Sequence, residues 1–115
     1  MTGFYVGPTW QPRGGDESVP YRFISPQQHA DAVKKTANRI LEAVRKEAAK
    51  AGVACTCSFG TGDYPYVKIV EAAGRNRCDL ILMATHGRRG ISRLLLGSET
   101  SKVLAHSTVP VLVCR

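Results

Sequence analysis

The chain holds 115 residues, 43% of them hydrophobic and 22% charged. This balance excludes a wholly disordered chain, a collagen-like repeat and a coiled coil, and the length fits one domain. Sixteen Lys and Arg against nine Asp and Glu give a formal charge of +7, which points to an anionic partner: a phosphorylated small molecule, nucleic acid or anionic lipid.

Met1 to Trp10 has neither the basic stretch nor the long apolar core of a secretory signal. The expected compartment is therefore the cytoplasm. No apolar run approaches the roughly 20 residues of a membrane helix. The longest, Leu80 to Ala84 and Val109 to Cys114, have strand length.

Gly3 to Val6 predicts a first strand, stopped by Gly7-Pro8. Pro8 to Pro26 reads as a long irregular connection, rich in Pro and Gly. A helix then opens with Ser25 as its N-cap and Pro26 in the first turn. Ala30, Val33, Ala37, Ile40, Leu41, Val44 and Ala48 recur at helical spacing and form its apolar face, and Gly52 ends it.

Val53 to Phe59 predicts a second strand, closed by Gly60-Thr61-Gly62-Asp63. Cys55 and Cys57, two apart, fall on one face of it. The four cysteines form no CxxC pair and read as reduced, mostly buried thiols. Asp63 is placed to cap a helix over Tyr64 to Asn76, with Val67, Ile69, Val70 and Ala73 inward. Asp79 to Thr85 predicts a third strand whose unbroken apolar run implies burial on both faces. After Gly87-Arg88-Arg89-Gly90, Ile91 to Leu96 reads as a short turn or helix. Gly97-Ser98 starts a last helix to about Ser107, with Val103 and Leu104 inward, and Val109 to Cys114 is the final strand.

Strands alternating with helices imply an α/β fold of Rossmann-like type. It is an open parallel sheet with right-handed crossovers and helices on both faces. In such sheets ligands sit beyond the carboxyl ends of the strands. Two segments there have suitable chemistry. One is Thr85-His86-Gly87-Arg88-Arg89-Gly90, after the third strand. The other is Gly97-Ser98-Glu99, at the start of the last helix. Small residues admit a ligand to the backbone, free amides at a helix N-terminus bind phosphate oxygens, and the arginines add charge. Gly87 and Gly90 as simple turn residues, and Ser98 as a simple cap, are the plainer alternatives. His86 has no evident nucleophile or acidic partner nearby. Glu99 suits a phosphate site only if its carboxylate turns away.

Ala84-Thr85-His86-Gly87, nine residues, Gly97-Ser98, then Val103-Leu104 and Val109-Pro110-Val111-Leu112-Val113 resemble the universal stress protein family. The resemblance covers Ala30 to Arg115 well and Gly3 to Val6 loosely. It implies a parallel sheet of five strands with helices on both faces. One branch of the family binds ATP through Gly, two residues, Gly, nine residues, Gly, and Ser or Thr. By position Gly87, Gly97 and Ser98 match this motif, while its first glycine falls at Ala84. Val6 would lie beside the adenine. The resemblance also implies a homodimer joined through the last strand, Val109 to Cys114.

The family begins with a strand, an aspartate and a helix, whereas this sequence opens at what resembles the second strand. The absent strand would lie mid-sheet and leave unpaired backbone and apolar surface. A truncated or late-started chain, a sheet closed without that strand, and a strand supplied by a second chain are three open explanations.

Three functions follow. The first is binding of an adenine nucleotide (ATP, or AMP or ADP, with magnesium) in stress response or signalling. Catalysis would be at most weak ATPase or autophosphorylation, with Ser98 or Thr100 as acceptors. The second is a dimeric interaction module without nucleotide. The third, a nucleic-acid-binding domain, is disfavoured because the basic residues are dispersed over helix surfaces.

Overall fold

The computed structural model describes residues 1–11, 24–84 and 96–114. They form β1 (Thr2–Gly7), α1 (Pro26–Lys50), β2 (Thr56–Thr61), α2 (Pro65–Arg75), β3 (Ile81–Ala84), α3 (Ser98–His106) and β4 (Val111–Cys114). The fold is α/β, and both strand pairings, β1 with β2 and β3 with β4, are parallel. The order of elements dictates this, because a helix between two strands carries the chain back to start the next strand in the same direction. Among the described residues no helix is long and apolar enough to cross a membrane. The chain divides into two compact units, Met1–Asp63 and Tyr64–Arg115.

In the first unit α1 packs on β1 and β2. Its start is fixed by a reciprocal cap. The Ser25 hydroxyl accepts the Gln28 N–H, and the Gln28 side chain accepts the Ser25 N–H. Pro26 follows at the position where a missing N–H costs least. Val33, Ala37, Leu41 and Ala48 are buried, while Ile40 and Val44 are half-buried. Ala30, predicted to face inward, is exposed near the start of the helix. The helix ends at Ala51, and Gly52 follows with φ +68°, a conformation that costs any residue with a Cβ.

β2 begins at Thr56, later than the predicted Val53, and runs through Gly60 and Thr61. The parallel register explains both ends. Thr2 pairs with Thr56, and Val6 and Gly7 pair with Gly60 and Thr61. Val53 to Cys55 are taken up by the return from α1. The first strand likewise includes Thr2 and Gly7, one residue more at each end than expected. Most of the irregular connection expected over Pro8 to Pro26 lies outside the described residues, and residues flanking it are hydrogen-bonded. Thr9 donates its hydroxyl to Asp63 at 2.7 Å, Trp10 donates its indole N–H to the Ile24 carbonyl at 2.9 Å, and His29 donates Nε2–H to the Pro8 carbonyl at 2.8 Å.

In the second unit α2 packs on α3, and α3 on β4. Ile81, Leu82, Met83 and Ala84 pair in register with Val111, Leu112, Val113 and Cys114. Among the described residues of this unit Val103 is the best-buried side chain, at 0% exposure. The apolar run of β3 is not uniformly buried. Ile81 is buried, but Leu82 is 65% exposed and Leu80 is also exposed. Leu104 is 41% exposed, so the inward pair of α3 is Thr100 and Val103, not Val103 and Leu104. A nine-residue helix presents a narrow face, and positions three apart share it better than neighbours do. In α2 the buried residue is Ala72; Val67, Ile69, Val70 and Ala73 are half-buried.

Candidate functional site

Ala84 ends β3, and Gly97 and Ser98 begin α3. One hydrogen bond fixes these two places together. Thr100, in the first turn of α3 and 4% exposed, donates its hydroxyl to the Ala84 carbonyl at 2.9 Å. Thr100 is the residue that the sequence reading missed as a positioning element. Its signal was the three-residue spacing to Val103, which places both on the inner face. The same bond removes Thr100 from the candidate phosphate acceptors, because its hydroxyl is buried and engaged.

Gly97 is the N-cap of α3, with φ −57° and ψ 150°, and it contributes no side-chain cap. The Ser101 N–H bonds to the Gly97 carbonyl and closes the first helical turn. The amides of Ser98 and Glu99 belong to the end of a helix where donors lack intrahelical partners. Such a cluster attracts anions through the amides and the helix dipole together.

Glu99 would oppose an anion if its carboxylate faced the same way. It is engaged elsewhere. Oε2 accepts the Tyr66 N–H at 3.2 Å, and Oε1 accepts from Lys102 Nζ at 3.4 Å. The Lys102 ammonium also lies 5.8 Å from the Tyr66 ring centre, and that ring lies 4.8 Å from the His106 ring. Glu99 thereby does for α2 what Asp63 was expected to do. The N-cap of α2 is Tyr64, without a side-chain cap, and Asp63 accepts from Thr9 instead.

Among the sequence-predicted site residues, Ala84, Gly97, Ser98 and Glu99 are thus gathered at the end of β3 and the start of α3. Val6 lies on β1 in the other unit, half-buried and in register with Gly60. Thr85, His86, Gly87 and Arg88, with Arg89, Gly90 and all but Leu96 of the turn or helix expected over Ile91 to Leu96, lie outside the described residues.

The cysteines differ from the buried set expected. Cys55, Cys57 and Cys78 are half-buried and Cys114 is exposed, all as free thiols. Cys55 and Cys57 do share a face, with their sulfurs 3.7 Å apart. Burial first, and then the adjoining Cys55 thiol, push the Cys57 thiol above its ordinary range, against smaller opposing effects of Arg45 and the Gly3 amide. No group of three or more His, Cys, Asp or Glu side chains among the described residues is arranged to hold a metal ion.

Comparison with known proteins extends these observations. Residues 8–115 match the model of the universal stress protein family. The chain is 35% identical over 86 residues to universal stress protein MJ0531 of Methanocaldococcus jannaschii, covering 75% of this chain and 50% of that one. It is 34% identical over 97 residues to universal stress protein YxiE of Bacillus subtilis, covering 84% and 64%. The chain therefore spans between half and two thirds of the length of these relatives. Among solved structures it resembles the hypothetical protein MJ0577, whose biochemical function was assigned from its structure. The TM-score is 0.69 at 29% identity, over 77% of this chain and 61% of that one. The parallel α/β order, the helix-start glycine and serine beyond β3, and these matches agree: the chain belongs to the universal stress protein family.

Proposed function

We propose that the chain binds an adenine nucleotide, ATP with magnesium or else AMP or ADP, and serves in stress response or signalling. The phosphates lie against the amides of Ser98 and Glu99 and the Ser98 hydroxyl. The observation that supports this best is the Thr100 to Ala84 hydrogen bond, which sets the start of α3 beside the end of β3. The spacing of Ala84, Gly87, Gly97 and Ser98, which resembles that of the ATP-binding branch of the family, supports it independently. Gly97 presents no side chain to the ligand, and the Glu99 carboxylate is engaged by the Tyr66 N–H and Lys102. Magnesium enters on the nucleotide phosphates. Ser98 is the remaining candidate for any weak phosphoryl transfer, and the proposed compartment is the cytoplasm.

A second reading rests on Ala84, which stands where the ATP-binding motif has its first glycine. It is a dimeric interaction module that binds no nucleotide. Either reading uses a homodimer joined along Val109 to Cys114. Among the described residues β4 has a ladder partner on one side only, and its Leu112 is exposed, a strand edge that proteins generally cover. Calorimetric titration with ATP-magnesium, AMP and GTP separates the two. The nucleotide reading expects saturable heat with the adenine nucleotides and none with GTP. Absence of heat with every nucleotide, from a chain that unfolds cooperatively, supports the interaction module.

A further inference from the structure

Cys55 and Cys57 have no part in the nucleotide reading. Their sulfurs converge to 3.7 Å, van der Waals contact, on the return into β2. Both thiols are half-buried, so each keeps a path to solvent. Cys57 is held in place by its surroundings. It pairs in register with Gly3, and a Cβ at Gly3 would sit 2.9 Å from the Cys57 sulfur, so only glycine leaves room for the thiol. On its other side the Leu41 carbonyl lies 4.0 Å from the same sulfur.

The separation selects among centres that bind sulfur. With bonds of about 2.3 Å, the length thiolates make to zinc, a 3.7 Å separation sets an angle of about 107° at a shared atom. Linear two-coordination with such bonds needs sulfurs about 4.6 Å apart, so it does not fit. Tetrahedral zinc fits the angle but requires four ligands, and no third ligating side chain joins the pair among the described residues. A trivalent arsenic atom carrying one organic group is pyramidal and needs two sulfurs only.

We propose that Cys55 and Cys57 form a chelating dithiol site for trivalent arsenic. An organic arsenous acid, R–As(OH)2, condenses with both thiols. Two S–H and two As–OH bonds break, two As–S bonds form, and two waters leave. Arsenic remains trivalent and no electrons are transferred. The step consumes thiols, the state in which burial keeps Cys57. A disulfide is less well served, since it needs a nucleophilic thiolate and an oxidant.

The test uses the full reduced chain, whose four thiols are free, and phenylarsine oxide as probe. Intact mass is read together with a count of residual thiols. One adduct per chain should form, the thiol count should fall from four to two, and the adduct should survive a large excess of a monothiol. Cys55→Ser and Cys57→Ser should each weaken capture by about a hundredfold, the loss of an intramolecular second attachment. Circular dichroism checks that each variant folds. A Cys78→Ser, Cys114→Ser double variant, which leaves the pair intact, should capture the probe as the parent does. A parent without a monothiol-resistant adduct overturns the proposal. So does resistant capture by either single variant, or its loss in the double variant.

Discussion

The Glu99 carboxylate closes the N-terminal end of a helix other than its own: its Oε2 accepts the Tyr66 N–H, in the first turn of α2, at 3.2 Å. The bond joins α2 to the start of α3, and together with Lys102 it leaves both carboxylate oxygens of Glu99 engaged. Glu99→Ala should cost about 1 kcal/mol of stability, the typical loss of a helix cap. Glu99→Gln, which retains an acceptor oxygen, should cost less. Urea unfolding of the two variants checks the order.

Thr100 anchors α3 to β3. Thr100→Val keeps the shape and removes the donor to the Ala84 carbonyl. A loss of about 1 kcal/mol is expected for one net hydrogen bond, accompanied by weaker nucleotide binding as the start of α3 loosens. Unfolding and titration on the same sample measure both. Lost stability with unchanged affinity would separate Thr100 from the site.

Val103 and Leu104 are neighbours with opposite roles. Val103 is fully buried, whereas Leu104 keeps about two fifths of its surface exposed. Val103→Ala should destabilise by about 2 kcal/mol through lost burial and the cavity left behind. Leu104→Ala should stay within about 0.5 kcal/mol. Thermal unfolding of the pair distinguishes the two faces of α3.

The environment of Cys57 makes stability depend on alkaline pH. An unfolded thiol ionises near its ordinary value of 9.0, while in the native state burial first and the Cys55 thiol next hold Cys57 protonated beyond it. The native state then binds more protons, so this contribution is complete below pH 9.0 and is lost as pH rises through the native value. Urea midpoints on either side of pH 9.0 should fall more steeply for the parent than for Cys57→Ser.

Local signals in the sequence carried much of the fold. Ser25, Pro26 and Gly52 mark the ends of α1 because capping chemistry is local, and the strand–helix alternation implies parallel pairing. Partnerships between distant residues were not legible. Asp63 has the chemistry of a cap, but Thr9, across the β1–β2 pair, takes its carboxylate. Glu99, which resembles an obstacle to phosphate, caps α2 through a contact 33 positions away. Exposure at Leu82 and Leu104 depends on packing that a run of apolar residues does not encode. In the candidate site, Gly97 and Ser98 were legible as a helix start, and the anchoring by Thr100 emerged only from the structure.

If nucleotide phosphates lie at the start of α3, removing the open approach at Gly97 must abolish binding. Thermal unfolding of the parent and of Gly97→Val, each with millimolar ATP-magnesium, AMP or GTP, measures this. A ligand at 100 times its dissociation constant adds about 2.7 kcal/mol, a rise of several degrees in a domain of this size. The parent should gain this rise with the adenine nucleotides alone. Gly97→Val should unfold cooperatively without it, because a branched side chain blocks approach to the backbone. A parent that gains nothing, or a Gly97→Val chain that gains as much as the parent, would show that no nucleotide is held at the start of α3.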